Sequence, residues 1–294
     1  MLRWRSLLVA VAACSHPEPA SPVAATPVKE PVLALLPDGV QLVVEIDLAR
    51  LKKNAVVGDV ATRALAQLGA DSKLPGLPVA IAGSPLANAD QFVLAAYGVG
   101  TEHAASITLL STTAEVPGAV RINDKLVALG PEDWTAQVEA RAAIAGVQPN
   151  AELLALRSHA MPEGATGAVL RVTARLPFDA RVALARETGL EVAPARLSVW
   201  GDISDDLALV VDADAADPGE AHAKQASHRL AATVKTALAT VADVPVVRAL
   251  GVPNSITDAR MIAQGTWVRT IIAIGPRHLS RAVERANALL GASS

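Results

Sequence analysis

Apolar and polar residues alternate from Gln41 to Asp47, with Leu42, Val44 and Ile46 on one side and Val43, Glu45 and Asp47 on the other, which predicts a half-buried strand. Leu170 and Val172 alternate with Arg171, Thr173 and Arg175 in the same way. Each of these strands leads through Ala-Arg-Leu, at 49–51 and 174–176, toward a helical stretch. Further on, Leu94-Ala-Ala-Tyr97-Gly98 lies over Leu197-Ser-Val-Trp200-Gly201, and Ile107 to Leu110 lies over Ala208 to Val211. Both pairs read as antiparallel hairpins with Gly and acids in their connections.

The ends of the two series also correspond. Leu126-Val-Ala-Leu-Gly-Pro over Ile271-Ile-Ala-Ile-Gly-Pro aligns Ala128, Gly130 and Pro131 with Ala273, Gly275 and Pro276, and the match runs on through Val138-Glu139 with Val283-Glu284. In each copy Gly ends a strand, Pro opens a helix and Gly closes it, at Gly146 and Gly291. Trp134, Val138, Ala142 and Ala145 stripe the first closing helix; Leu279, Val283, Ala286 and Leu290 stripe the second. The chain therefore reads as an internal duplication. Each copy is a strand, a helix, two antiparallel strands, a final strand and a final helix, and the two closing helices are expected to superpose.

Insertions distinguish the copies. The first carries the Pro- and Gly-rich stretch 71–89; the second carries a helix near 218–242, faced by Ala223, Ala226, Leu230, Val234, Ala237 and Val241, and then the connection 245–253. The expected architecture is α+β: two related lobes with antiparallel sheets and helices packed on one face. The expected organisation is a signal segment 1–13, a tether 14–31, a first lobe 32–146, a linker 147–164 and a second lobe 165–294.

Composition narrows the class. Of 294 residues, 51% are hydrophobic and 19% charged, enough for a sizeable core, while aromatics are only 2%. A formal net charge of -3 argues against a nucleic-acid surface, which requires clustered Lys and Arg. No window after the N-terminus approaches the ~18 apolar residues of a spanning helix.

The first thirty residues carry the sharpest motif. Arg3 and Arg5 precede an apolar run from Leu7 to Ala13, and the chain turns polar at Cys14, Ser15 and His16, as in a short secretory signal. Val11-Ala12-Ala13-Cys14 resembles the lipobox of bacterial lipoproteins, and Cys14 is the sole cysteine. That resemblance implies export, cleavage before Cys14, lipid attachment to its thiol and anchoring to the cell envelope; Ser15 at the following position favours the outer membrane. With Cys14 acylated, no thiol is left for a disulfide, a metal or a nucleophile. Five prolines in the stretch from Ser15 through Pro31 then form an extended tether of roughly 50 Å at ~3 Å per residue. The opening of the body, Leu36-Pro-Asp-Gly-Val-Gln-Leu-Val-Val-Glu-Ile-Asp-Leu-Ala-Arg-Leu51, is similar to that of uncharacterised myxobacterial-type lipoproteins.

Candidate chemistry is sparse. Gly98-Val-Gly100 lacks the third glycine of a dinucleotide loop and reads as a hairpin connection. The six histidines are scattered, and His222 and His228 turn to different sides of their helix. Asp212 and Asp214 project from one face of a strand end as calcium ligands do, but no EF-hand pattern surrounds them, and Asp217 reads as a helix cap before Pro218 and Glu220. Arg277, Arg281 and Arg285 form a stripe that Glu284 interrupts, the mark of a solvated face. Tyr97 and Trp200, at equivalent repeat positions, are the candidate platform for a ligand or partner, with Trp267 as a third aromatic. The alternative is that this face is buried.

No catalytic residue, metal site or cofactor is expected. The leading expectation is a non-catalytic envelope lipoprotein that binds a protein partner or acts as a scaffold. The second is a carrier or sensor holding a small or lipidic ligand between the lobes, and the third a hydrolase. A deep pocket between sheet and helices favours the carrier, and a filled core with an exposed apolar patch the scaffold.

Overall fold

The computed structural model describes residues 31–67, 83–188, 190–191, 193–215 and 220–292. Cys14, the signal segment and tether, residues 71–82 of the first insertion, and Asp217 with Pro218 lie outside the described residues.

Ten strands form one sheet, antiparallel at every pairing, in the order β4-β5-β3-β2-β1-β6-β7-β8-β10-β9. The first five are β1 (Leu42–Asp47), β2 (Gln91–Tyr97), β3 (Ala105–Ser111), β4 (Val120–Asn123) and β5 (Leu126–Leu129). The second five are β6 (Leu170–Arg175), β7 (Arg196–Ile203), β8 (Leu207–Asp214), β9 (Arg260–Gln264) and β10 (Trp267–Ile274). Read outward from the centre, each half runs first, second, third, fifth, fourth strand, and the halves join where β1 pairs with β6 from Leu42↔Ala174 to Ile46↔Leu170. The protein is thus α+β with antiparallel strands, as expected. Each half has one strand more than the sequence pattern suggested: β4 alternates but is only four residues long, and β9 is mostly exposed and shows little apolar alternation.

Helices cover both faces. We call the side carrying Val43 and Glu45 the front and the side carrying Val44 and Ile46 the back; register assigns every other strand residue to one of them. On the front of the first half, α1 (Pro31–Ala34), α5 (Glu132–Ala142) and α6 (Ala151–His159) enclose a core of Val43, Val93, Ala95, Tyr97, Ile107 and Leu109 with Leu33, Trp134 and Val138. On the back, α2 (Leu48–Lys53), α3 (Gly58–Gln67) and α4 (Gly83–Asn88) cover Phe92, Leu94, Leu110 and Val127. In the second half the long α8 (Glu220–Asp243) lays Ala226, Leu230 and Val234 on Leu197, Ala213 and Val268 of the back, the apolar face that its sequence predicts.

The closing helices do not superpose. Trp134 and Val138 of α5 pack on the front, whereas Leu279 and Ala282 of α11 (Pro276–Ala292) pack with Ile203, Leu207 and Ile274 on the back. A two-fold relating antiparallel β1 to β6 keeps each face on its own side, so these helices are not equivalents. The divergence begins after the shared Gly-Pro turns, at Gly130-Pro131 and Gly275-Pro276. The two halves run through their strands in the same order, but the closing helices that the duplication pairs lie on opposite faces.

The halves share contacts as well as strands. Asp47 ends β1 and caps α2, its Oδ1 accepting from Arg50 N at 2.9 Å, which positions the Arg50 guanidinium to donate to both oxygens of Asp202 at 2.9 and 2.6 Å. Asn54 donates through Nδ2 to the carbonyls of Ile203 and Ser204. Val57 of the first half sits in one cluster with Val252, Ile274 and Leu279. The remaining short helices are α7 (Phe178–Thr188), α9 (Pro245–Leu250) and α10 (Pro253–Thr257), the last two occupying the 245–253 connection and its continuation.

Candidate functional site

The stretch 147–164 between the halves contains α6, which crosses the front of the sheet at the β1–β6 seam. Asn150 starts it by accepting from Leu153 N at 3.1 Å, and Leu153 and Leu154 enter the front core of the first half. Its other end is fixed by polar groups from both halves. Arg157 donates to both oxygens of buried Glu45 at 2.6 and 3.0 Å, and Ala160 N donates to Ser198 Oγ at 3.1 Å. His159 Nδ1 lies 2.7 Å from Asp212 Oδ2, while Arg269 donates to both Asp212 oxygens, at 2.8 and 2.6 Å, and to the His159 carbonyl at 2.9 Å.

Electrostatics follow this burial. The hydrogen bonds to Asp212 hold the Arg269 pKa above the ordinary arginine value. Burial, and then the neighbouring Arg157 charge, lower that of Arg171. Arg171 sits beside Met161 Sδ at 3.7–3.8 Å.

Between α6, α1 with the loop that follows it, and the ends of β6, β7, β8 and β10 lies a cavity of about 840 Å³. One sheet row supplies its polar wall: Arg175, Arg196, Asp214 and Trp267 are successive register partners on β6, β7, β8 and β10, all on the front. Asp214 is fully buried; its Oδ2 takes both Arg196 Nε, at 2.7 Å, and Nη2, at 2.6 Å, and its Oδ1 has no partner. Arg175 pairs with Glu152 of α6. Across the cleft Arg141 donates to the Ala34 carbonyl at 3.0 Å and to Asp38 at 3.4 Å. Leu33, Leu36, Val40, Leu153, Leu156 and Leu176 supply the apolar wall.

The three candidate aromatics meet different fates. Tyr97 and Trp200 share the front face, as their repeat positions imply, but they are only 3% and 7% exposed and offer no open platform. Tyr97 packs on Trp134 with ring centroids 4.2 Å apart and donates to the Pro37 carbonyl at 3.3 Å, and burial drives its pKa well above the usual tyrosine range. Trp200 donates through Nε1 to the Gly167 carbonyl at 2.8 Å. With so few aromatics in the chain, both are drawn into the core. Trp267 alone of the three lines the cleft, stacked on His159 at 3.9 Å with the Arg196 guanidinium 5.2 Å from its ring centroid.

Asp212 and Asp214 share a face as expected, but each is paired with arginine, and among the described residues no three His, Cys, Asp or Glu gather to hold a metal. His159 held by Asp212 has the orientation of a general base, yet no Ser, Thr or Cys is among the residues lining the cleft. Arg277, Arg281 and Arg285 are exposed on α11. Among the described residues no helix is long and apolar enough to cross a membrane.

No family model matches the chain, and no curated protein matches it. Two solved structures, crystal forms I and III of TP0453, are similar to it. Identity is 7% and 6%, coverage is 86% and 87% of this chain and 96% and 97% of theirs, and the TM-scores are 0.44 and 0.45.

Proposed function

We propose that this is a lipid-anchored binding protein of the bacterial cell envelope that carries a small amphipathic molecule in the cleft beneath α6. The observation that carries the reading is the cavity itself. Its volume of about 840 Å³ falls within the roughly 300–1,000 Å³ usual for small-molecule sites. Its walls combine leucines with a few charged groups fixed by the sheet. Anchoring rests on Val11-Ala12-Ala13-Cys14, with the thiol of Cys14 as the acceptor of the lipid.

Native mass spectrometry of the purified protein tests the ligand reading. The expected result is a non-covalent mass released on denaturation and lost in Leu156→Trp, which fills the cleft. A single bare-chain mass in both proteins contradicts it. A partner-binding scaffold is the second reading, favoured by Phe178 and Val182, one turn apart on α7 and 72% and 51% exposed. An unliganded monomer by the same measurement, with Phe178→Ser abolishing an envelope cross-link, supports that reading instead.

A further inference from the structure

We infer that the cleft selects an anionic amphiphile and that Arg175 and Arg196 seat its carboxylate or phosphate, an inference that rests on the cleft being a ligand site. The two arginines are register partners on adjacent strands and share the front face. Like charges placed opposite one another cost free energy unless anions lie beside them.

The anions present are unequal. Asp214 is sealed and turns one oxygen to Arg196, accepting a hydrogen bond from Nε and lying 2.6 Å from Nη2, which leaves Arg196 Nη1 without a partner among the described residues. Glu152, the partner of Arg175, stands on α6 with its side chain 72% exposed, and Arg175 itself is 68% exposed. An ion pair of that kind contributes little, so a ligand anion that brings its own charge and excludes water replaces Glu152 at small cost. Arg141 adds a third guanidinium from the facing wall; it is itself mostly buried, while its partner Asp38 is exposed to solvent. The leucines of the opposite wall take the hydrocarbon.

Calorimetric titration of the full chain carrying Cys14→Ser, which takes no lipid, with decanoate, decyl phosphate and decanol separates these terms. At least one anion is expected to bind about tenfold more tightly than decanol, the scale of one charge-assisted contact. Whichever anion binds tighter identifies the headgroup. Arg175→Gln is expected to bring the anions down to the affinity of decanol, and Glu152→Gln to tighten them several-fold, with decanol unmoved by either change. Both substitutions are on exposed side chains, and Arg196 is left intact because its loss strands buried Asp214. Equal binding of all three probes, unmoved by the variants, overturns the anion assignment and leaves the cleft as a ligand site. Binding by none of the three overturns both readings.

Discussion

Arg269 holds Asp212 through two hydrogen bonds, and the carboxylate they fix is the one on which His159 closes the end of α6. Replacing Arg269 with Met leaves a buried acid whose remaining side-chain partner is His159. Breaking a fully buried pair costs ~3–5 kcal/mol; since Arg269 is 40% exposed, about 2 kcal/mol is expected, read as a lower urea midpoint. By contrast Arg175→Gln, which breaks an exposed pair, is expected to shift stability by less than ~0.5 kcal/mol.

Trp134 connects the first closing helix to the sheet through its contact with Tyr97. Trp134→Ala is expected to cost about 3 kcal/mol, the low end for a large aromatic because the ring is partly exposed. Since the sheet runs unbroken through both halves and Val57 packs with Leu279, the loss should appear as one shifted transition in denaturant. Two transitions, one unshifted, contradict the shared core.

Burial raises the Tyr97 pKa above its ordinary value of 10.0, so folding favours the neutral phenol. A raised group contributes its stability fully below the unfolded value and loses it as pH climbs past that value. The parent protein is therefore expected to lose stability above pH 10 more steeply than Tyr97→Phe. At neutral pH the variant should differ by only about 1 kcal/mol for the lost hydrogen bond to Pro37. Urea melts at a series of pH values check both.

Gly100 turns the β2–β3 hairpin with φ +80°, and a Cβ there meets Ala183 Cβ at 2.9 Å and Ala180 Cα at 3.0 Å on α7. Gly100→Ala is expected to destabilise by about 1–3 kcal/mol through strain and crowding. Gly118→Ala, with open space around it, bears the strain alone and should cost less.

What could be seen in advance follows the range of the interactions. The strands at Leu42–Asp47 and Leu170–Arg175 and the placement of Tyr97 and Trp200 on one face come from alternation, a local signal. The face taken by each closing helix is not legible locally, since both turns read Gly-Pro and the two helices still pack on opposite faces. The cleft is less legible still, because Arg175, Arg196, Asp214 and Trp267 become neighbours only through register across four strands. A signal for α6 was present inside the supposed linker: Asn150 as a cap followed by Leu153, Leu154 and Leu156.

The β1–β6 seam also sets the order in which the molecule can be completed. As synthesis proceeds from the N-terminus, β1 pairs with β2 on one side while its other border, Leu42-Val-Val-Glu-Ile46, waits for a strand made more than a hundred residues later. During that interval an apolar ladder stands open, a template for any other nascent chain, relieved only by the charge of Glu45. A chain stopped after β5 is thus expected to associate with itself through β1, whereas one carried through β6 is not.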